Sequence, residues 1–141
     1  HLLSRRQRQM CIRDRYNIFC SQNLIIYPRQ NNVVPFYNEA SIVINLTDKK
    51  LAVETFGLTA LEAMSAGLPV IVPTEGGIAE MVTDGENGYK IDVQDLNKIV
   101  EYVHLLLSDQ ELYNKLSNNA SAYSRNFNID KMTESILSLF D

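Results

Sequence analysis

The most constraining feature of the sequence is an apolar run that begins and ends near prolines, LPVIVP at residues 68–73. Every position of this run is apolar, so neither face of an extended segment here would present polar side chains to water. Such runs are typical of strands that are buried on both faces, as in a parallel sheet covered by helices. The run therefore predicts a central strand with helices on both sides.

Three shorter runs that are rich in strand-forming residues predict further strands. They are NLIIYP at 23–28, SIVINL at 41–46 and YKID at 89–92. Helices are predicted between them at 57–66 and 76–82, and NNVVPFYNEA has room for a short helix of about two turns. Strands that alternate with helices indicate the α/β class.

Beyond Asp92 the pattern becomes wholly helical. Asp95 is expected in the first turn of a helix, and two more helices are predicted in DQELYNKLSNNASAYSRNF and IDKMTESILSLF. The residues predicted to share the buried face of the first of these helices are Leu96, Ile99, Val100, Val103 and Leu107. The domain is therefore expected to end in a helical segment.

Charge is distributed unevenly along the chain. Residues 1–16 hold five arginines and one aspartate, a formal charge of +4, whereas the remainder carries −8. An acidic body argues against a nucleic-acid partner. The basic start has no apolar period, so we expect residues 1–16 to be a non-native or disordered extension and residues 17–141 to form one domain. A natural basic arm is the alternative.

The two cysteines, Cys11 and Cys20, form no CxxC pair and have no histidines beside them. They predict neither a disulfide framework nor a zinc site, and they fit a reducing compartment. No apolar run approaches the roughly 18 residues that a membrane-spanning helix needs. We therefore expect a cytoplasmic protein without a zinc site.

The segment ETFGLTALEAM, residues 54–64, sets two glutamates eight positions apart in apolar surroundings. If 41–46 is a strand and a helix follows Gly57, the connecting loop lies at the carboxyl end of a parallel strand, where open α/β sheets bind ligands. The amides of Gly57, Leu58 and Thr59 would be free at the helix N-terminus. Free amides in that position suit phosphate.

The two glutamates can border the same pocket. Glu54 lies before the helix, whereas Glu62 lies about a turn and a half inside it and leans back toward the N-terminus. Carboxylates accept hydrogen bonds from hydroxyl groups, so a ligand with phosphate in the middle and hydroxyls at both ends fits, as in a nucleotide sugar. The alternative is a pair of solvated glutamates near a helix start, where negative charge is favourable.

Further short sequence motifs surround this pair of glutamates. Residues 54–62 match E-x7-E, and FG, EAM, G-x-PVI, GG-x-x-E and DG-x-NG occur around it in order. Over roughly residues 23–140 the chain resembles the family-4 retaining glycosyltransferases of the GT-B fold, also called glycosyl transferases group 1. The resemblance implies a partial C-terminal, donor-binding domain with a Rossmann-like parallel sheet flanked by helices.

The resemblance also implies roles for individual residues. Glu54, the catalytic candidate, would contact hydroxyls of the transferred sugar, and Glu62 would bind ribose hydroxyls. The amides of Gly57, Leu58 and Thr59 would hold the diphosphate. The other implied donor-binding residues are Phe56, Gly76 and Gly77, and these two glycines would let a second loop approach the cleft.

The implied reaction is transfer of a sugar from a nucleotide sugar, such as a UDP- or GDP-sugar, to an acceptor hydroxyl with retention of configuration and without a metal or other cofactor. The implied partners are this donor and a glycan or lipid-linked acceptor held by an N-terminal domain, with peripheral membrane association of the intact enzyme. The chain alone is expected to be inactive. The alternatives are a non-catalytic nucleotide- or phosphate-binding module and a sugar-nucleotide epimerase of the same fold.

Overall fold

The computed structural model describes residues 23–25, 27–48 and 50–140, so the predicted extension at 1–16 lies outside the described residues. The chain divides into two units, His1–Val33 and Val34–Asp141. The described residues of the first unit form neither helix nor strand. The strand predicted at 23–28 is therefore wrong for the residues of that run that are described. Strand propensity does not by itself make a strand, because a strand also needs a paired neighbour and a buried face.

The second unit contains the alternating strands and helices that the sequence predicts, followed by a helical ending. In chain order its elements are α1 Val34–Glu39, β1 Val43–Ile44, α2 Leu58–Ser65, β2 Val70–Pro73, α3 Gly77–Glu80, β3 Gly88–Ile91, α4 Leu96–Ser108, α5 Gln110–Ser124 and α6 Ile129–Leu137. Within the described part of the chain, no helix is both long and apolar enough to cross a membrane.

The strands form one parallel sheet in the order β1-β2-β3. Val70 of β2 lies opposite Val43 on one side and opposite Gly88 on the other. The pairing of β1 continues beyond its two residues, because the amide of Asn45 donates to the carbonyl of Ile71 at 2.9 Å. The central position predicted for the LPVIVP run is confirmed.

Burial of β2 on both faces divides the core into two clusters. All four residues of the strand are buried. Val70 and Val72 pack on one face with Met64 of α2 and other buried residues. Ile71 points to the opposite face, where it joins Ile99 of α4 and other residues from the helical ending. Full burial of such a side chain stabilises the fold by about 1.5–3 kcal/mol.

The predicted face of α4 is partly wrong. Ile99 and Leu106 are buried, but Leu96, Val100 and Leu107 are 66%, 55% and 62% exposed. The apolar positions of this helix form two overlapping stripes, and spacing alone does not choose between them. The stripe that packs inward also brings the ring of Tyr102 onto Tyr89, where the rings are stacked with centroids 4.0 Å apart. Tyr102 and Val103, which are partly buried, pack against the cluster that contains Ile71 and Ile99.

A buried asparagine closes the turn that precedes β3. Asn87 is 4% exposed. Its Oδ1 accepts a hydrogen bond from the amide of Thr83 at 2.8 Å, and its Nδ2 donates to the carbonyl of Met81 at 3.0 Å. The side chain thus pairs two backbone groups in the segment that follows α3. It takes the place of the backbone hydrogen bonds that a regular helix or strand would provide there.

We expect Asn87→Ala to lower the free energy of unfolding by about 1–3 kcal/mol, because it leaves the buried carbonyl of Met81 without its partner. Urea unfolding measures this change. Asn118→Ala, at an exposed position of α5, is the matched control and should have little effect. Equal effects of the two variants would contradict the structural role of Asn87.

Candidate functional site

The loop between β1 and α2 ends at a glycine that begins the helix. Gly57 has a left-handed backbone, with φ 82° and ψ 51°, and is the N-cap residue of α2. Its carbonyl accepts hydrogen bonds from the amides of Ala60 and Leu61 at 3.0 and 3.2 Å. Among the described residues, none accepts a hydrogen bond from the amides of Gly57, Leu58 or Thr59. The helix start therefore presents the free donors that the sequence predicts.

The loop between β2 and α3 touches this first loop backbone to backbone. A Cβ atom added to Gly76, whose φ is 96°, would lie 2.5 Å from the carbonyl oxygen of Glu54. A Cβ on Gly77 would overlap the carbonyl oxygen of Thr55. The two glycines thus admit the neighbouring loop. Gly57 makes room for a side chain, since a Cβ atom added there would lie 2.5 Å from Cγ1 of Ile78.

The predicted site residues of the first loop differ in exposure. Glu54 is half-buried and Thr59 is exposed. Phe56 and Leu58 are 44% and 61% exposed, and the ring of Phe56 lies edge-on to Phe127, with centroids 6.1 Å apart. The loop therefore leaves both polar atoms and apolar side chains accessible beside the free amides.

Glu62 is exposed, but its carboxylate is held by a residue from another helix. Its Oε2 accepts a hydrogen bond of 2.9 Å from the hydroxyl of Tyr37 in α1. The same hydroxyl lies 3.4 Å from the carbonyl oxygen of Thr59. The Tyr37 hydroxyl therefore lies between the Glu62 carboxylate and the backbone of Thr59, which is in the first turn of α2.

The sequence did not predict the contact between Tyr37 and Glu62. Tyr37 precedes Glu62 by 25 residues, a separation that follows no helix or strand period. An aromatic residue in a short helix predicts only that its side chain lies in the core or at the rim of the core. The ring packs against the buried cluster that contains Met64 and Val70. Burial, and secondly the hydrogen bond to Glu62, raise the pKa of Tyr37 to about 12. The hydroxyl is therefore a proton donor at neutral pH.

Two cavities of this unit differ in lining and size. One, of about 620 Å³, is lined by Phe56 and Leu61 together with residues of the 126–136 segment. The other, of about 360 Å³, is lined by polar side chains that include Thr83 and Asn119. Glu54 and Glu62 line neither cavity, whereas Phe56, next to Gly57, lines the larger one. Within the described residues, no three His, Cys, Asp or Glu side chains are grouped so that they could hold a metal ion.

We expect Gly77→Ala to force the two loops apart, because the new methyl group would overlap a backbone carbonyl. The cost in unfolding free energy should be about 1–3 kcal/mol, and the backbone amide chemical shifts of Thr55 and Phe56 should change. Gly85→Ala is the control: its φ of 74° strains any side chain, but no atom lies within 4 Å. Unchanged shifts at Thr55 in Gly77→Ala would contradict the contact between the loops.

The pKa of Tyr37 predicts a loss of stability at high pH. Below the ordinary value of 10.0, the tyrosine is neutral in both the folded and unfolded chain. Between 10.0 and about 12 the unfolded chain loses the proton first, so the free energy of unfolding falls. Urea unfolding across this range should show a smaller fall in Tyr37→Phe. A fall in Tyr37→Phe of the same size as in the parent chain would contradict the assignment.

Comparison with protein families gives one match that covers most of the chain. The family is described as Glycosyl transferases group 1, and the match spans residues 8–123. Among curated relatives, N-acetyl-alpha-D-glucosaminyl L-malate synthase of Bacillus anthracis is 31% identical over 104 residues, which are 74% of this chain and 26% of the relative. Trehalose synthase of Pyrococcus horikoshii is 34% identical over 128 residues, 89% of this chain and 29% of the relative. The chain thus spans under a third of the length of these relatives.

Solved structures agree with the family. The C-terminal domain of the glycosyl transferase group 1 family protein LpcC from Francisella tularensis is 30% identical, with a TM-score of 0.63 over 73% of this chain and 51% of that domain. Anabaena HepE in complex with UDP has a TM-score of 0.80 over 96% of this chain and 36% of its own, at 18% identity, which shows the fold alone. The chain belongs to the glycosyl transferases group 1 family and has the Rossmann-like α/β fold of GT-B glycosyltransferases.

Proposed function

We propose that this chain binds the nucleotide-sugar donor of a glycosyltransferase and that the amides of Gly57, Leu58 and Thr59 hold the donor's diphosphate. The observation that carries this proposal is the set of free amides at the start of α2, at the carboxyl edge of a parallel sheet. The partial positive charge of a helix N-terminus favours an anion there. Family membership supplies the reaction class, transfer of a sugar to an acceptor.

The two glutamates take different parts of the donor in this proposal. Glu62 lies about one helical turn beyond Leu58, with its carboxylate on the Tyr37 hydroxyl that also approaches Thr59, and would accept hydrogen bonds from the ribose. Glu54 lies on the strand side of the same amides, where its backbone packs against Gly76, and would accept hydrogen bonds from the transferred sugar. A nucleotide sugar has hydroxyl groups on both sides of its diphosphate, so it can meet both carboxylates.

We further propose that transfer proceeds with retention of configuration and without a metal or other cofactor. The leaving diphosphate then gains its stabilisation from the helix N-terminus, since preoriented amides act where negative charge develops. Crystal structures of Anabaena HepE hold UDP and UDP-glucose, which supports a nucleotide sugar as the ligand class for this fold.

Calorimetric titration of the 141-residue chain with UDP, GDP and the corresponding nucleotide sugars tests the proposal. We expect Glu62→Ala to weaken both the nucleoside diphosphate and its sugar conjugate, because both contain ribose. A hydrogen bond to a charged group contributes about 1.5–3 kcal/mol, or roughly ten- to a hundred-and-fifty-fold in affinity. Glu54→Ala should weaken the sugar conjugate but leave the nucleoside diphosphate unchanged.

Glu111→Ala is the matched control, since Glu111 is an exposed glutamate in the first turn of a different helix, α5. It should leave both affinities unchanged. Equal losses of nucleoside diphosphate affinity in Glu54→Ala and Glu62→Ala would refute the division of roles. Absence of nucleoside diphosphate binding by the parent chain would refute the proposed site.

A further inference from the structure

We infer that Tyr37 is a positioning residue that fixes the Glu62 carboxylate for the ribose hydroxyls and so favours ribose-containing ligands. This inference rests on the proposed function, because it takes Glu62 to be the ribose-binding group. It adds a second residue, from a different helix, that would set the selectivity of the site without contacting the ligand.

An exposed glutamate on a helix has a flexible side chain that must be ordered before it can bind a ligand. Ordering a long side chain of this kind costs conformational entropy. In the free protein, the hydroxyl of Tyr37 already holds Oε2 of Glu62 at 2.9 Å. The carboxylate is therefore held in one orientation before any ligand arrives, and less entropy is lost on binding.

The tyrosine can hold the glutamate because its own ring is fixed. Tyr37 lies in α1 and packs against the buried cluster that includes Ala63 and Met64 of α2. Its hydroxyl also lies 3.4 Å from the carbonyl oxygen of Thr59. The hydroxyl thus sits at the end of a packed ring beside Thr59, a residue whose amide is one of the proposed diphosphate donors.

The direction of the hydrogen bond leaves the carboxylate able to bind hydroxyl groups. A phenol has one proton, which Tyr37 donates to Oε2, and an ionised carboxylate has about four acceptor positions on its two oxygens. The proton stays in place at neutral pH, because the ordinary tyrosine pKa of 10.0 already lies well above it and the pKa of Tyr37 is raised further, to about 12. The free acceptor positions match two adjacent hydroxyl donors, which is the pattern of a ribose 2′,3′-diol.

Tyr37→Phe tests the inference, because it keeps the ring and removes the hydroxyl alone. The ligands for calorimetry are UDP, 2′,3′-dideoxyuridine diphosphate, which lacks the diol, and inorganic pyrophosphate, which lacks the nucleoside. We expect Tyr37→Phe to weaken UDP about two- to twelvefold, the range for the cost of ordering one flexible side chain on binding, and to leave the other two ligands unchanged. In the Glu62→Ala background, Tyr37→Phe should have no further effect on UDP.

Tyr123→Phe is the control for loss of a tyrosine hydroxyl outside the Glu62 contact and should leave all three affinities unchanged. Equal weakening of all three ligands by Tyr37→Phe would show a general structural role and overturn the inference. Weakening of UDP by Glu62→Ala but not by Tyr37→Phe would overturn the inference and leave the proposed function standing. Failure of the parent chain to bind UDP would overturn the proposed function itself.

Discussion

Burial of β2 on both faces is the constraint on which the rest of the structure depends. Because Val70–Pro73 offers no polar face, it requires a paired strand on each side and helices above and below. The flanking helices α2 and α4 each supply apolar side chains to one of the two resulting clusters. The parallel register then places the carboxyl ends of β1 and β2 next to each other.

The candidate site is a consequence of that register. Neighbouring parallel strands send their following loops to the same edge of the sheet, and here the two loops are in contact because Gly76 and Gly77 have no side chains. This contact supports the loop that leads to Gly57, where α2 begins with free amides. The geometry of the amides therefore depends on glycines that do not themselves need to touch a ligand.

Local patterns predicted most of the fold, because continuous apolar runs and turn residues report burial and chain reversal directly. The run at 23–28 was misleading, since its composition gives no information about a partner strand. The prediction of the buried face of α4 was partly wrong for a related reason. The inward face carries a tertiary contact, the stacking of Tyr102 on Tyr89, which helical spacing does not report. Glu54, Gly57 and Glu62 could be identified from their motif, whereas Tyr37 could not, because its link to Glu62 spans 25 residues and follows no period.

The most direct measurement of the central claim is a titration of the 15N-labelled chain with UDP, followed by amide chemical shifts. The account predicts the largest shift changes at the amides of Gly57, Leu58 and Thr59, since these would donate hydrogen bonds to the diphosphate. Inorganic pyrophosphate should shift the same amides. Changes centred on the polar cavity near Thr83 and Asn119, with Gly57 to Thr59 unaffected, would contradict the account.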